Sequence, residues 1–133
     1  NPAGFPVHMI EHALSAHKNI THGAGLAIVN PDWMRFAAKA RPNKFVQFAE
    51  RIFGLKSKSE NDLDCALEGI NRYEAFLQSI GCPIRLSELG IGGELFAQYA
   101  RDSALVLHDK EGNLLGRPAM SEEDIIAVLT SAL

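Results

Sequence analysis

A chain of 133 residues fits one domain, and its 47% apolar content with a mean hydropathy of −0.02 is that of a globular protein, neither disordered nor membrane-like. Thirteen Lys and Arg against sixteen Asp and Glu give a formal charge of −3, which argues against a nucleic-acid footprint, and no apolar run approaches the roughly 20 residues that span a bilayer. Two cysteines, Cys65 and Cys82, are too few for a disulfide scaffold, so a reducing, cytoplasmic setting is expected.

The chain begins Asn1-Pro2 with neither an initiator Met nor a signal-peptide pattern, which reads as an excised piece or a processed mature chain. From Pro6 to about Ala16, Val7, Ile10 and Leu14 share one side of a predicted helix. His8 and His12 lie one turn apart on another side. Lys18 to Thr21 is a connector, and His22 opens a second helix through Gly23-Ala24-Gly25-Leu26-Ala27-Ile28-Val29. Asn30-Pro31-Asp32 carries a further helix-start signature: a capping Asn, Pro at the first helical position and an acidic first turn. A break or bend is expected there, before Trp33, Met34, Phe36, Ala37 and Ala40.

Arg41-Pro42-Asn43 separates this helix from the next, whose apolar face is read as Phe45, Phe48, Ala49, Ile52 and Phe53, with Gly54 as the stop. Caps are available between Ser57 and Asn61. The following helix has the cleanest period, with Leu63, Ala66, Leu67, Ile70, Tyr73, Leu77 and Ile80 on one face and Gly81 and Pro83 as terminators. Gly69 inside it costs about 1 kcal/mol relative to Ala, so close packing is its expected reason. Arg85 to Gly93 is a turn-rich link, Leu95 to about Leu105 is helical, and Asp109 to Asn113 suggests a small hairpin. Ser121-Glu122-Glu123-Asp124 caps a last helix containing Ile125, Ile126, Val128, Leu129 and Leu133. The reading is one all-α, helical-bundle-like domain over residues 1–133.

Three of the five histidines crowd into one short stretch. His8 and His12 sit about 5 to 6 Å apart at Cβ, a spacing that can hold a metal. The order His8-Met9-Ile10-Glu11-His12 is not that of a zincin, because Glu precedes the second His rather than following the first. His22 follows across the connector and can fold back toward them. Glu11 is read as pointing away from His8 and so as a poor ligand. The competing reading makes all three structural histidines of a non-catalytic helical interaction module. His17 is assigned to capping a helix end, His108 to the surface, and Phe36, Phe45, Phe48 and Phe53 to the core. Trp33 is expected in the core or at an interface rather than in a substrate cleft. Neither cysteine is expected to be catalytic.

The stretch His8-Met9-Ile10-Glu11-His12-Ala13-Leu14-Ser15, followed by His22-Gly23-Ala24-Gly25-Leu26-Ala27-Ile28, resembles the C-terminal signature of the iron-containing (group III) alcohol dehydrogenases. Asn30-Pro31-Asp32-Trp33-Met34 is similar to the continuation in the butanol-dehydrogenase-like branch, and the likeness is strongest over residues 4–54. Gly116-Arg117-Pro118 and Ser121 to Ile125 resemble the family's tail. The resemblance implies the helical, metal-binding C-terminal domain of a two-domain enzyme that interconverts alcohols and aldehydes by hydride transfer with NAD or NADP. It implies His8 and His22 as ligands of a divalent metal, Fe2+ or Zn2+, whose other two ligands, an Asp and a His, belong to an upstream helix absent here. His12 matches the histidine near the nicotinamide and the substrate, a catalytic and cofactor-contacting role. The chain contains no glycine-rich nucleotide loop, so it is expected to be inactive alone. It is also expected to form homo-oligomers and to expose an apolar patch near the three histidines.

Overall fold

The structure, a computed structural model, describes residues 6–133; the start at Asn1-Pro2 lies outside the described residues. Its helices are α1 (Pro6–His17), α2 (His22–Ala40), α3 (Pro42–Phe53), α4 (Leu63–Ser79), α5 (Phe96–Ser103) and α6 (Glu122–Ser131), with a 3-10 turn at Leu86–Leu89 between α4 and α5. The all-α expectation holds. The region around Asp109 forms isolated bridges, His108 with Leu114 and Leu114 with Met120, rather than a sheet. Its turn is closed by the Asp109 carboxylate, which accepts from the backbone N–H groups of Glu111 and Asn113. Among the described residues no helix is long and apolar enough to cross a membrane.

Two apolar clusters meet on α2. The larger takes Ile10 and Leu14 from α1, Ile28 and Val29 from α2, Tyr99 and Ala100 from α5, and Ile125 and Leu129 from α6. The smaller joins Met34 and Ala38 of α2 to Ile70 of α4, with Phe45, Phe48 and Tyr73 against it. With Ile28 and Val29 before Pro31 buried in the larger cluster and Met34 and Ala38 after it buried in the smaller, α2 runs unbroken through Pro31. The expected helix start at Asn30-Pro31 is therefore corrected. Proline costs an interior helix one backbone bond, and burial on both sides outweighs that local signal. The Asn30 amide, free of capping duty, donates to the Tyr73 hydroxyl at 3.1 Å. Asp32 is buried, not a solvated first-turn charge, and accepts from Arg35 at 3.0 Å.

On α3 the inward face is centred on Val46 and Ala49, while Ile52 is 64% exposed, contrary to the expected stripe. Pro42 stands at the helix start and Gly54, with φ +66°, ends it in the left-handed conformation that glycine favours. The cap of α4 is Asp62, one residue beyond the expected polar run. Ile80, placed on the inner face by its period, lies past the end of α4 and is 60% exposed. Gly69 answers to close packing: a Cβ there would stand 2.5 Å from the Cβ of Ala49 on α3. Ser121 caps α6 through a reciprocal box with Asp124, as its sequence indicates.

Candidate metal centre

The connector between α1 and α2 sets the geometry of the site. Lys18 N–H still bonds to Leu14 at 2.8 Å, Ile20 tucks against the larger core, and Thr21 then caps α2 by accepting from Ala24 N–H at 3.3 Å. A cap at Thr21 makes His22 the first residue of α2, on the turn that faces back along α1. The result is convergence. The His22 ring centroid lies 5.4 Å from that of His8, with the planes tilted by 53°, and 5.3 Å from that of His12, tilted by 40°. All three histidines are exposed on the protein surface.

Glu11 has a role that the sequence did not show. Its side chain is fully buried, and its Oε2 is hydrogen-bonded to His22 Nδ1 while Ser15 Oγ donates to its Oε1. It thus faces the next helix across the α1–α2 contact. A ligand atom each from Glu11, His12 and His22 lies within 4.8 Å of the others. Sequence periodicity places Glu11 relative to its own helix but cannot show what the second helix brings to it. The one local sign is Gly25: a Cβ there would stand 2.5 Å from Glu11 Cγ, so the glycine makes room for the carboxylate.

The chemistry of this donor set suits a divalent transition metal. Imidazole nitrogen is a favoured ligand of both Fe2+ and Zn2+. A histidine whose Nδ1–H is held by a carboxylate presents Nε2 as the free lone pair, the arrangement seen behind metal-ligating imidazoles. The three rings lie at the surface, open to ligands from outside these residues.

A cleft of about 570 Å³ runs from His8 between α2 and α4 and is walled by Val7, Leu26, Trp33, Tyr73 and Leu77. Trp33, expected in the core or at an interface, is half-buried and lines this cleft, edge-on to Phe45 at 6.4 Å between centroids. Of the three histidines only His8 borders this apolar wall, so the expected patch near all three is met at His8 alone. Cys82 also borders the cleft, whereas Cys65 is buried and its thiol is pushed up by desolvation, which disfavours a nucleophilic role. Away from the site, His17 is not a simple helix-end cap: its Nε2 meets Asp102 at 2.7 Å and its ring packs on Tyr99, tying α1 to α5. His108 is exposed, as expected.

Comparison with known proteins shows the family to which the chain belongs. Residues 4–133 match the model of the Fe-containing alcohol dehydrogenase family, C-terminal part. The chain is 36% identical over 129 residues to a probable NADH-dependent butanol dehydrogenase 1 of Bacillus subtilis, a match that takes in 97% of this chain and 32% of the relative. It is 36% identical over 121 residues to NADH-dependent butanol dehydrogenase B of Clostridium acetobutylicum, covering 90% of this chain and 30% of that one. The crystal structure of NADH-dependent butanol dehydrogenase A from Thermotoga maritima superposes with a TM-score of 0.84 at 34% identity, over 97% of this chain and 33% of that one. The chain thus spans about a third of the length of the relatives it matches.

Proposed function

Because this chain belongs to the Fe-containing alcohol dehydrogenase family, as its C-terminal part, we propose that it supplies the helical metal-holding half of an enzyme that interconverts alcohols and aldehydes with NAD or NADP. The observation that carries the reading is the approach of His22, at the start of α2, to within 5.4 Å of the His8 ring and 5.3 Å of the His12 ring on α1. His8 and His22 hold a divalent metal, Fe2+ or Zn2+, together with two ligands from the preceding part of the longer protein. When bound, such a metal polarises a carbonyl oxygen as a Lewis acid, and the nicotinamide supplies the hydride.

The residues of this chain have distinct tasks. His22 is anchored at Nδ1 by Glu11, which leaves Nε2 as its nitrogen for a metal. His12 stands beside the reacting centre to carry a proton between the substrate oxygen and solvent and to contact the nicotinamide. The apolar cleft beginning at His8 receives the carbon chain of a small alcohol or aldehyde and keeps water from it.

The test uses the full-length protein. Metal content and nicotinamide-dependent turnover are measured for the wild type and for His8→Ala, His22→Ala and His12→Ala. Loss of metal in the first two is expected, with activity lost alongside. His12→Ala is expected to retain metal while kcat falls by about 100-fold or more. Full metal content and activity in His22→Ala would refute the assignment and favour a helical module with structural histidines.

A further inference from the structure

Glu11 is the one fully buried carboxylate on α1, and none of the roles above requires it to touch metal or substrate. An unpaired buried carboxylate is expensive, so its partners define what it is for. Both its oxygens are engaged: Oε2 with His22 Nδ1 and Oε1 with the Ser15 hydroxyl, one turn further along α1. The space it fills is reserved for it, since Gly25 on α2 brings its backbone so close that a Cβ would stand 2.5 Å from Cγ and 2.6 Å from Oε1. Ser15, Glu11, Gly25 and His22 thus form one device across the α1–α2 contact.

We propose that Glu11 is a positioning residue that fixes the tautomer and orientation of His22, with the proton on Nδ1 and the Nε2 lone pair turned to the metal, rather than a ligand itself. The inference rests on the reading of His22 as a metal ligand. Its physical basis is that an imidazole free to rotate and to exchange tautomers binds only in the fraction of states that present the correct nitrogen. Each oxygen of Glu11 is already engaged in a hydrogen bond, so turning the carboxylate toward an ion would loosen the contacts that hold His22 in place. Ser15 holds the carboxylate from behind, and the absence of a side chain at Gly25 lets the two helices approach closely enough for the contact.

The test is Co2+ binding to the full-length protein, read as a dissociation constant and as the visible spectrum of the bound ion. Glu11→Gln keeps an oxygen that accepts from Nδ1–H, and is expected to hold affinity within about tenfold with an unchanged spectrum. Glu11→Met fills the same space without an acceptor, and is expected to weaken binding by about 10- to 100-fold. Gly25→Ala displaces the carboxylate from the opposite helix and is expected to lose affinity by the same order, which keeps the test alive if Glu11→Met folds poorly. Unchanged affinity in a folded Glu11→Met or Gly25→Ala protein overturns the inference. So does a Glu11→Gln protein that loses the ion as completely as His22→Ala, since that would make Glu11 a ligand. Retention of Co2+ by His22→Ala itself would instead overturn the metal reading on which the inference stands.

Discussion

Asp32 and Asp102 are carboxylates that their surroundings push in opposite directions. Burial is the largest influence on Asp32 and raises its pKa, against the pull of Arg35; one of its oxygens has no partner among the described residues. A folded-state pKa above the unfolded value means that the native state binds the proton more tightly, so stability falls as pH rises from about 4 through the raised value. Asp32→Asn is expected to stabilise the protein at pH 7, by roughly 1 kcal/mol, with the gain shrinking in acid. Urea unfolding at the two pH values measures it. Asp102 is the reverse case: the hydrogen bond from His17, then that from Gln98, holds its carboxyl below the usual range. The stability it contributes is present above the unfolded value near 4 and is lost as pH falls through the depressed one. Acid unfolding of Asp102→Asn is expected to show a weaker pH dependence over that interval than the wild type.

At the scale of elements, α3 and α4 illustrate how a single glycine sets the distance between helices. With Gly69 facing Ala49, an added methyl would stand 2.5 Å from one Ala49 atom and 2.9 Å from another. Alanine gains about 1 kcal/mol in helix propensity, but overpacking a tight contact costs about 1 to 3 kcal/mol, so Gly69→Ala is expected to lower the thermal midpoint. That role for Gly69 was legible because an isolated glycine weakens a strongly periodic helix unless a neighbouring helix needs the space. The three-histidine cluster was legible from equally local geometry: His8 and His12 share a face, and the connector to His22 is too short to carry it far. What escaped the sequence depends on tertiary neighbours. Pro31 reads as a helix boundary until two cores are seen to hold α2 on either side of it. Ile52 fits the expected apolar stripe of α3 by its spacing, yet it is exposed while Val46, outside that stripe, is buried, because tertiary neighbours choose the inward face. Glu11 reads as idle in the sequence because its partner stands on a different helix.

For the molecule as a whole, the described residues contain the histidines but no nucleotide-binding loop, and the chain spans about a third of its relatives. The 133-residue chain alone is therefore expected to give no nicotinamide-dependent turnover and to bind a divalent ion much more weakly than the full-length protein. Two ligands cannot replace four. Its surface also carries Phe76 at 53%, Ile80 at 60%, Leu105 at 68% and Val106 at 76% exposure, besides the open apolar cleft. Self-association of the isolated chain is expected on that ground, and sedimentation across a concentration series would detect it; a monomer at every concentration would contradict it. The central claim is that α1 and α2 aim His8 and His22 at one ion. It is tested most directly by diffraction from crystals of the full-length protein at the absorption edge of its metal. The account predicts one anomalous peak about 2.0 to 2.2 Å from a ring nitrogen of each of these two histidines, with Glu11 outside coordinating distance. A peak bound elsewhere, or one ligated by Glu11 in place of His8, would contradict it.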